Sequence, residues 1–239
     1  MTSWHEDLAA YLDYQVRLGF SPILLPGYGR MPGLGSEDEA KREYSVESLA
    51  AIRSEIGDCT RCTLHKGRTN IVFGEGRSDA DLMFVGDAPG VDEDVQGRHF
   101  VGEAGLLLTK MIRAMGLERS DVYITDAVKC RPPGSRQPER TETDTCVPFL
   151  EKQIEAVGPQ VIVTLGEIPA ETLLGLEGPV STIRGSFLYW RGIPVMPTYH
   201  PSFLLMEQHN RRWKAEAWTD LKAVMALLGL PRPEPGGKT

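Results

Sequence analysis

Two sets of side chains in this sequence have the types and the spacing to do chemistry. The first is Cys59, Cys62, Cys130 and Cys146, the chain's four cysteines, of which the first two form a C-x2-C pair. A turn of that length presents two thiolates to one ion, and two more complete a four-thiolate site that zinc and an iron–sulfur cluster both accept. Spacing alone does not choose between them. The second set is Gly86-Asp87, Asp126, Gly166-Glu167 and His200, drawn from distant parts of the chain. Carboxylates and an imidazole gathered in one place can position a water, hold a proton or steady a developing charge.

Every member of the second set closes or follows a short apolar run: "LMFVG" (82–86), "VYIT" (122–125), "VIVTLG" (161–166) or "IPVMPTY" (193–199). Continuous apolar runs bounded by turn residues read as strands buried on both faces. Helical patterns separate them. One covers residues 104–115, with Leu107, Leu108, Met111 and Met115 inward; another covers about 141–157, where Pro148 predicts a kink or a late start. "SFLYW" and "IPVMPTY" flank Arg191-Gly192 as a hairpin, and a last helix spans about 210–228. Alternating strand and helix predicts an α/β fold with a mostly parallel sheet and helices on both faces. In such sheets ligands bind beyond the C-terminal ends of the strands, where the second set would meet.

Upstream, Ser3 to Glu6 form a capping box before a helical pattern with Leu8, Leu12 and Val16 on one face. A Gly/Pro-rich stretch follows, and a second helix is expected from near Ser45, with Leu49, Ile52 and Ile56 inward. The expected organisation is an N-terminal helix and linker over 1–44, one domain carrying the cysteine site over 45–230, and a polar tail over 231–239. The chain of 239 residues has net charge −7, which argues against coating nucleic acid through bulk charge. Local basic clusters stand out against it: Lys129, Arg131, Arg136 and Arg140, then Arg211, Arg212 and Lys214. The opening residues MTSWHEDL lack an apolar signal core and no run is long enough to span a membrane. A cytoplasmic protein with no membrane partner is expected.

"GDAPGVDEDVQGRHFVGEAG" (86–105), "YITDAVKCRPPG" (123–134) and "YHPSFLL" (199–205), together with the cysteine spacing, resemble the uracil-DNA glycosylase superfamily. More closely they are similar to its iron–sulfur branch, family 4, over about Val46 to Leu228. The resemblance implies a three-layer α/β/α domain around a central, mostly parallel four-stranded sheet. It implies a [4Fe–4S] cluster on Cys59, Cys62, Cys130 and Cys146, with zinc the alternative. It also implies a nucleoid-associated, monomeric hydrolase that flips a deaminated base, uracil first, out of DNA and cleaves its N-glycosidic bond.

On that resemblance Phe100 stacks on the flipped base, His200 hydrogen-bonds uracil O2 and Gly86 lies against the base. Leu204 is the wedge that fills the gap left in the duplex. Ser202, Arg131 and Arg136 contact DNA, the first through phosphate. Two positions depart from the pattern. The branch usually has Glu where this chain has Asp87, the candidate carboxylate for placing water or steadying the sugar cation. In the branch that reads G-Q-D-P-Y, the water-activating Asp falls one position later, at Ala88 here. Asp126 stands where the family usually has Asn, whose amide accepts uracil N3–H and donates to O4. Three outcomes are open: a protonated Asp126 that donates to O4, a pocket for another base (cytosine, hypoxanthine or xanthine), or a protein that binds damaged DNA with little turnover.

Overall fold

The computed structural model describes residues 35–206 and 211–231, with side chains from Ser45 onward. The N-terminal helical pattern at Leu8, Leu12 and Val16 lies outside the described residues. The chain divides into two compact units, 1–38 and 39–239. Helix α1 runs Gly35–Ile56, so it starts well before the expected Ser45. The reason is compositional: "SEDEAKRE" (36–43) has neither Gly nor Pro and opens with acids, which favour a helix N-terminus.

Strands β1 (Glu75–Gly76), β2 (Leu82–Gly86), β3 (Tyr123–Asp126), β4 (Val161–Leu165), β5 (Leu188–Trp190) and β6 (Ile193–Thr198) form one sheet in the order β1-β3-β2-β4-β6-β5. The inner four, β3-β2-β4-β6, are parallel, as expected. Two short antiparallel edge strands, β1 on β3 and β5 on β6, raise the expected four to six. Strand β5 lies in "SFLYW", the arm of the hairpin expected there, whereas β1, at two residues, is too brief to carry a periodicity. The hairpin between β5 and β6 turns at Arg191 and Gly192, both with positive φ, which suits the right-handed twist of the paired strands.

Side-chain alternation along β2 builds the layers. Leu82 and Phe84 face one side, where they pack with Leu108 and Ile112 of α3 (Glu103–Ala114) and Leu221 and Val224 of the C-terminal helix over Arg211–Leu227. Met83 and Val85 face the other, against Leu150 and Ile154 of the helix over Arg140–Val157 and Leu173 of the helix over Glu167–Leu174. The short helix α2 (Val91–Gln96) precedes α3, so the four just named are numbered α3, α4 (Arg140–Val157), α5 (Glu167–Leu174) and, after α6 (Val180–Ile183) and α7 (Pro201–Met206), α8 (Arg211–Leu227). Helix α4 passes through Pro148 and starts at Arg140. The carbonyl that Pro148 cannot bond is that of Asp144, an exposed residue, so the lost bond falls on the solvent side of the helix.

Candidate active site and cysteine site

The ends of the parallel strands converge. Gly86 closes β2 level with Asp126 at the end of β3. A Cβ at position 86 would overlap Asp126 Oδ1 and the Phe100 ring, so only glycine lets the two lie over the strand end. Gly166 follows β4 with φ +103°, and a Cβ there would stand 3.1 Å from Asp87 Oδ1 and 3.3 Å from His200 Cβ. Beside this junction opens a cleft of about 350 Å³, lined by Asp87, Glu167, Tyr199, His200, Phe203 and Trp213 among others. Phe100 and Asp126 are deeper, 8 % and 2 % exposed.

Phe100 is held in an unfavourable conformation. Its φ of +48° is in the left-handed region, at a cost on the order of 1–3 kcal/mol for a residue with a side chain. Arg119 clamps the segment by donating to the carbonyls of His99 (2.8 Å) and Phe100 (3.2 Å) while pairing with Glu75. Gly105, in the first turn of α3, admits the Phe100 carbonyl, which any Cβ there would overlap. The clamped ring lies 5.6 Å from the His200 imidazole, tilted by 36°.

The two histidines near the strand ends differ. His200 Nδ1 accepts from the Ser202 backbone N–H (3.2 Å) and lies 2.6 Å from Ser202 Oγ. With its Nδ1 lone pair engaged, the neutral ring carries its proton on Nε2. Burial, the largest influence, lowers His200 to about 4 against the pull of Asp126 and Glu93, so the neutral ring prevails at physiological pH. His99 is 1 % exposed, and its Nδ1 is 2.8 Å from Asp126 Oδ2. Its Nε2 is buried without a hydrogen-bond partner among the described residues, which costs about 1–3 kcal/mol.

Asp87 is held far from its ordinary behaviour. Its Oδ1 is buried with no hydrogen-bond partner among the described residues. Burial, then the neighbouring charges of Asp126 and Glu167, push its carboxyl up to about 8. The acids next in sequence do other work. Glu93 accepts from the backbone N–H groups of Gly90, Val101 and Gly102, and Asp94 from those of Thr69 and Asn70.

The four cysteines also gather. Cys62 and Cys146 pack against the apolar group of Leu64, Val128 and Cys130, and Cys59 and Cys146 against the neighbouring one around Phe149. None is in a disulfide. Arg68 donates to the Cys59 carbonyl (2.6 Å) and to Cys130 Sγ (3.4 Å). Burial pushes the Cys146 thiol up to about 11 and raises that of Cys130. Among the described residues no three His, Cys, Asp or Glu side chains close to the spacing of a single metal ion. Ala88, next to Asp87, packs against the apolar group that holds Cys130, so the loop after β2 reaches both sites.

The family model described as the uracil DNA glycosylase superfamily matches residues 73–222. The chain belongs to that superfamily. It is 46 % identical to a type-4 uracil-DNA glycosylase of Thermotoga maritima, with 70 % of this chain and 88 % of the relative covered. It is 42 % identical to the type-4 enzyme of Sulfurisphaera tokodaii (78 % and 88 % covered) and 40 % identical to that of Archaeoglobus fulgidus (79 % and 97 %).

Of the residues the sequence assigned to this superfamily's site, Gly86, Asp87, Phe100, Asp126 and His200 lie together at the strand ends. Leu204 does not project as a wedge. Pro201 and Leu204 share one side of α7, and Leu204 is 3 % exposed, packed with Tyr199, Val180 and Ala217. Met206, at the end of the same helix, is 76 % exposed. The first basic cluster also splits. Lys129 is buried, with Nζ donating to Thr125 Oγ1 and to the Asp126 carbonyl (both 2.6 Å). Arg136 forks onto Glu142 (2.7 and 2.9 Å) and Arg140 pairs with Glu177. Arg131 keeps an Nε without a hydrogen-bond partner among the described residues. Sequence reasoning passed over His99 and Arg119. His99 stood in the quoted "GRHFVG", and a titratable side chain beside the expected stacking aromatic was the available signal; nothing in the sequence pointed to Arg119.

Proposed function

We propose that this chain excises uracil from DNA by hydrolysing the N-glycosidic bond, leaving an abasic site. The observation that carries the reading is the meeting of a buried carboxylate, a stacking aromatic and a neutral histidine at the ends of four parallel strands. The flipped base stacks on Phe100. His200, with its proton on Nε2, donates to uracil O2 as negative charge develops there, and Ser202 keeps it in that tautomer. A neutral donor suits this role, because its alignment with the leaving anion is set before the reaction starts. Asp87, as carboxylate, steadies the cationic sugar and orients the water that attacks C1′. The water's hydroxyl ends on the sugar, and its proton leaves for the base anion or for solvent. Ser202 and Arg131 contact the DNA backbone, with Arg136 a weaker candidate because Glu142 already engages it. The protein acts as a monomer on the substrate its relatives are named for, DNA containing uracil.

The four thiols are gathered and outside any disulfide, a donor set that a four-thiolate iron–sulfur cluster takes and that zinc also accepts. Cys59, Cys62, Cys130 and Cys146 would hold a [4Fe–4S] group whose contribution is structural. The test of the activity is a single-turnover assay on duplexes with uracil opposite guanine or adenine, followed by alkali. Strand cleavage at the uracil position is expected; binding with no cleavage on uracil, hypoxanthine, xanthine or cytosine would leave a damage-binding protein instead.

A further inference from the structure

We propose that His99 determines base specificity: by holding the proton of the His99–Asp126 pair, it makes the pocket accept uracil and reject cytosine. This rests on the uracil-excision reading above.

The pair is closed off from water, with Nδ1 of His99 2.8 Å from Oδ2 of Asp126 and both residues at most 2 % exposed. In the tautomer with its hydrogen on Nδ1, His99 donates to Oδ2 and the carboxylate only accepts. Lys129 donates to Thr125 Oγ1 and to the Asp126 carbonyl rather than to the carboxylate. Oδ2 is therefore committed to His99. Oδ1 is the oxygen that lies over Gly86 beside the Phe100 ring, the surface on which a flipped base would rest. An acceptor at that point suits uracil, whose N3 carries a hydrogen, and opposes cytosine, whose N3 carries a lone pair. A protonated Asp126 would reverse the preference, donating to cytosine N3 and accepting from its N4–H. Cytosine is a normal base of DNA, so the proton's location separates repair from damage. The Nδ1–H on Oδ2 also offsets the negative charge that would face uracil O4.

Packing alone does not call for a polar ring here. Its Nε2 has no partner among the described residues, and its backbone is fixed independently through Arg119 and the strained Phe100. What the imidazole contributes is its contact with Asp126.

The experiment measures single-turnover excision of uracil and of cytosine, each opposite guanine, with thermal unfolding as the check on folding. His99→Phe keeps a ring and removes the donor. It is expected to lower uracil excision about tenfold and to raise the cytosine-to-uracil ratio by about tenfold or more, the scale one hydrogen bond decides. His99→Asn carries an amide N–H at the Nδ1 position and should restore the ratio to within about threefold of the parent protein. In an Asp126→Asn background, where no carboxylate is left to control, His99→Phe should change the cytosine-to-uracil ratio by less than about threefold. An unchanged ratio in His99→Phe, or an equal loss with Asp126 and with Asn at 126, would overturn the proposal. Should His99→Phe not fold, a shifted ratio in His99→Asn overturns it instead. Failure of the parent protein to cleave uracil while Asp126→Asn does so sinks the proposal and spares the glycosylase fold's activity; failure of both sinks the functional reading itself.

Discussion

On the proposed mechanism, Asp87 would set the pH at which the site is ready. Its carboxyl, pushed up to about 8 chiefly by burial, is mostly protonated at neutral pH, and the carboxylate grows about tenfold per unit as pH rises toward 8. Specificity constants for uracil excision, which report the free enzyme, should therefore climb and level off above about 8. Asp87→Asn should flatten the climb and reduce the rate by a factor on the order of 10²–10³. A profile that stays flat with Asp87 in place would remove it from the mechanism. Glu167→Gln takes away one of the like charges that hold the proton on Asp87, so the climb should move to lower pH. His200 adds no limb of its own between 5 and 8, since it stays neutral above about 4. The same raised carboxyl has a stability consequence of definite sign. The unfolded chain gives up this proton near 3.8 and the folded one near 8, so Asp87 subtracts stability as pH rises between them. Denaturant titrations of Asp87→Asn should lose that part of the decline. For His200→Ala, excision should fall on the order of 10²-fold while DNA affinity, read by fluorescence anisotropy, changes little.

Elements position these residues through backbone contacts, and the segment from Gly97 to Gly105 does most of it. Gly105→Ala would drive a Cβ into the Phe100 carbonyl, a collision with backbone that no rotamer relieves. The substitution should lower stability by about 1–3 kcal/mol and reduce excision more than DNA binding, because Phe100 and His99 shift together. Equal melting temperature and equal excision would show that the close approach is dispensable. Helix α7 carries the complementary case. Leu204→Ala should cost about 2–5 kcal/mol in unfolding free energy, as buried leucines do, whereas Met206→Ala should leave stability alone and weaken binding to duplex DNA. The sequence foretold the parallel strands because runs such as "VIVTLG" are apolar on both faces, and it foretold α3 because its leucines and methionines repeat at helical spacing. It did not foretell which side Leu204 takes, since three successive apolar residues in "FLL" carry no phase until Pro201 fixes where the helix begins. Nor did it place Lys129 inside: a lysine in a basic cluster reads as surface unless Thr125 and the Asp126 carbonyl are known to receive it.

Across the whole molecule the four cysteines tie together parts that the sheet alone leaves independent. Cys59 and Cys62 follow α1, Cys130 follows β3, and Cys146 lies within α4. Their number and spacing were legible in the sequence, because a C-x2-C pair and two later cysteines need no fold to be counted. Their proximity to the strand ends was not, because it depends on Ala88, after β2, packing against the group that holds Cys130. A group bound to all four closes a loop of roughly 70 residues between Cys59 and Cys130, and by the chain-entropy argument for cross-links that is worth about 4 kcal/mol. Protein purified without oxygen should be brown, with broad visible absorption and about four irons per chain, as a four-thiolate cluster requires. Bleaching it with an oxidant and a chelator should lower the unfolding midpoint in step with the lost absorption, and Cys146→Ser should do the same. Colourless protein with one equivalent of zinc would replace the iron–sulfur assignment with a zinc one. Unchanged stability after the colour is gone would mean that packing around Phe149 and Val128, and not the bound group, holds these segments together.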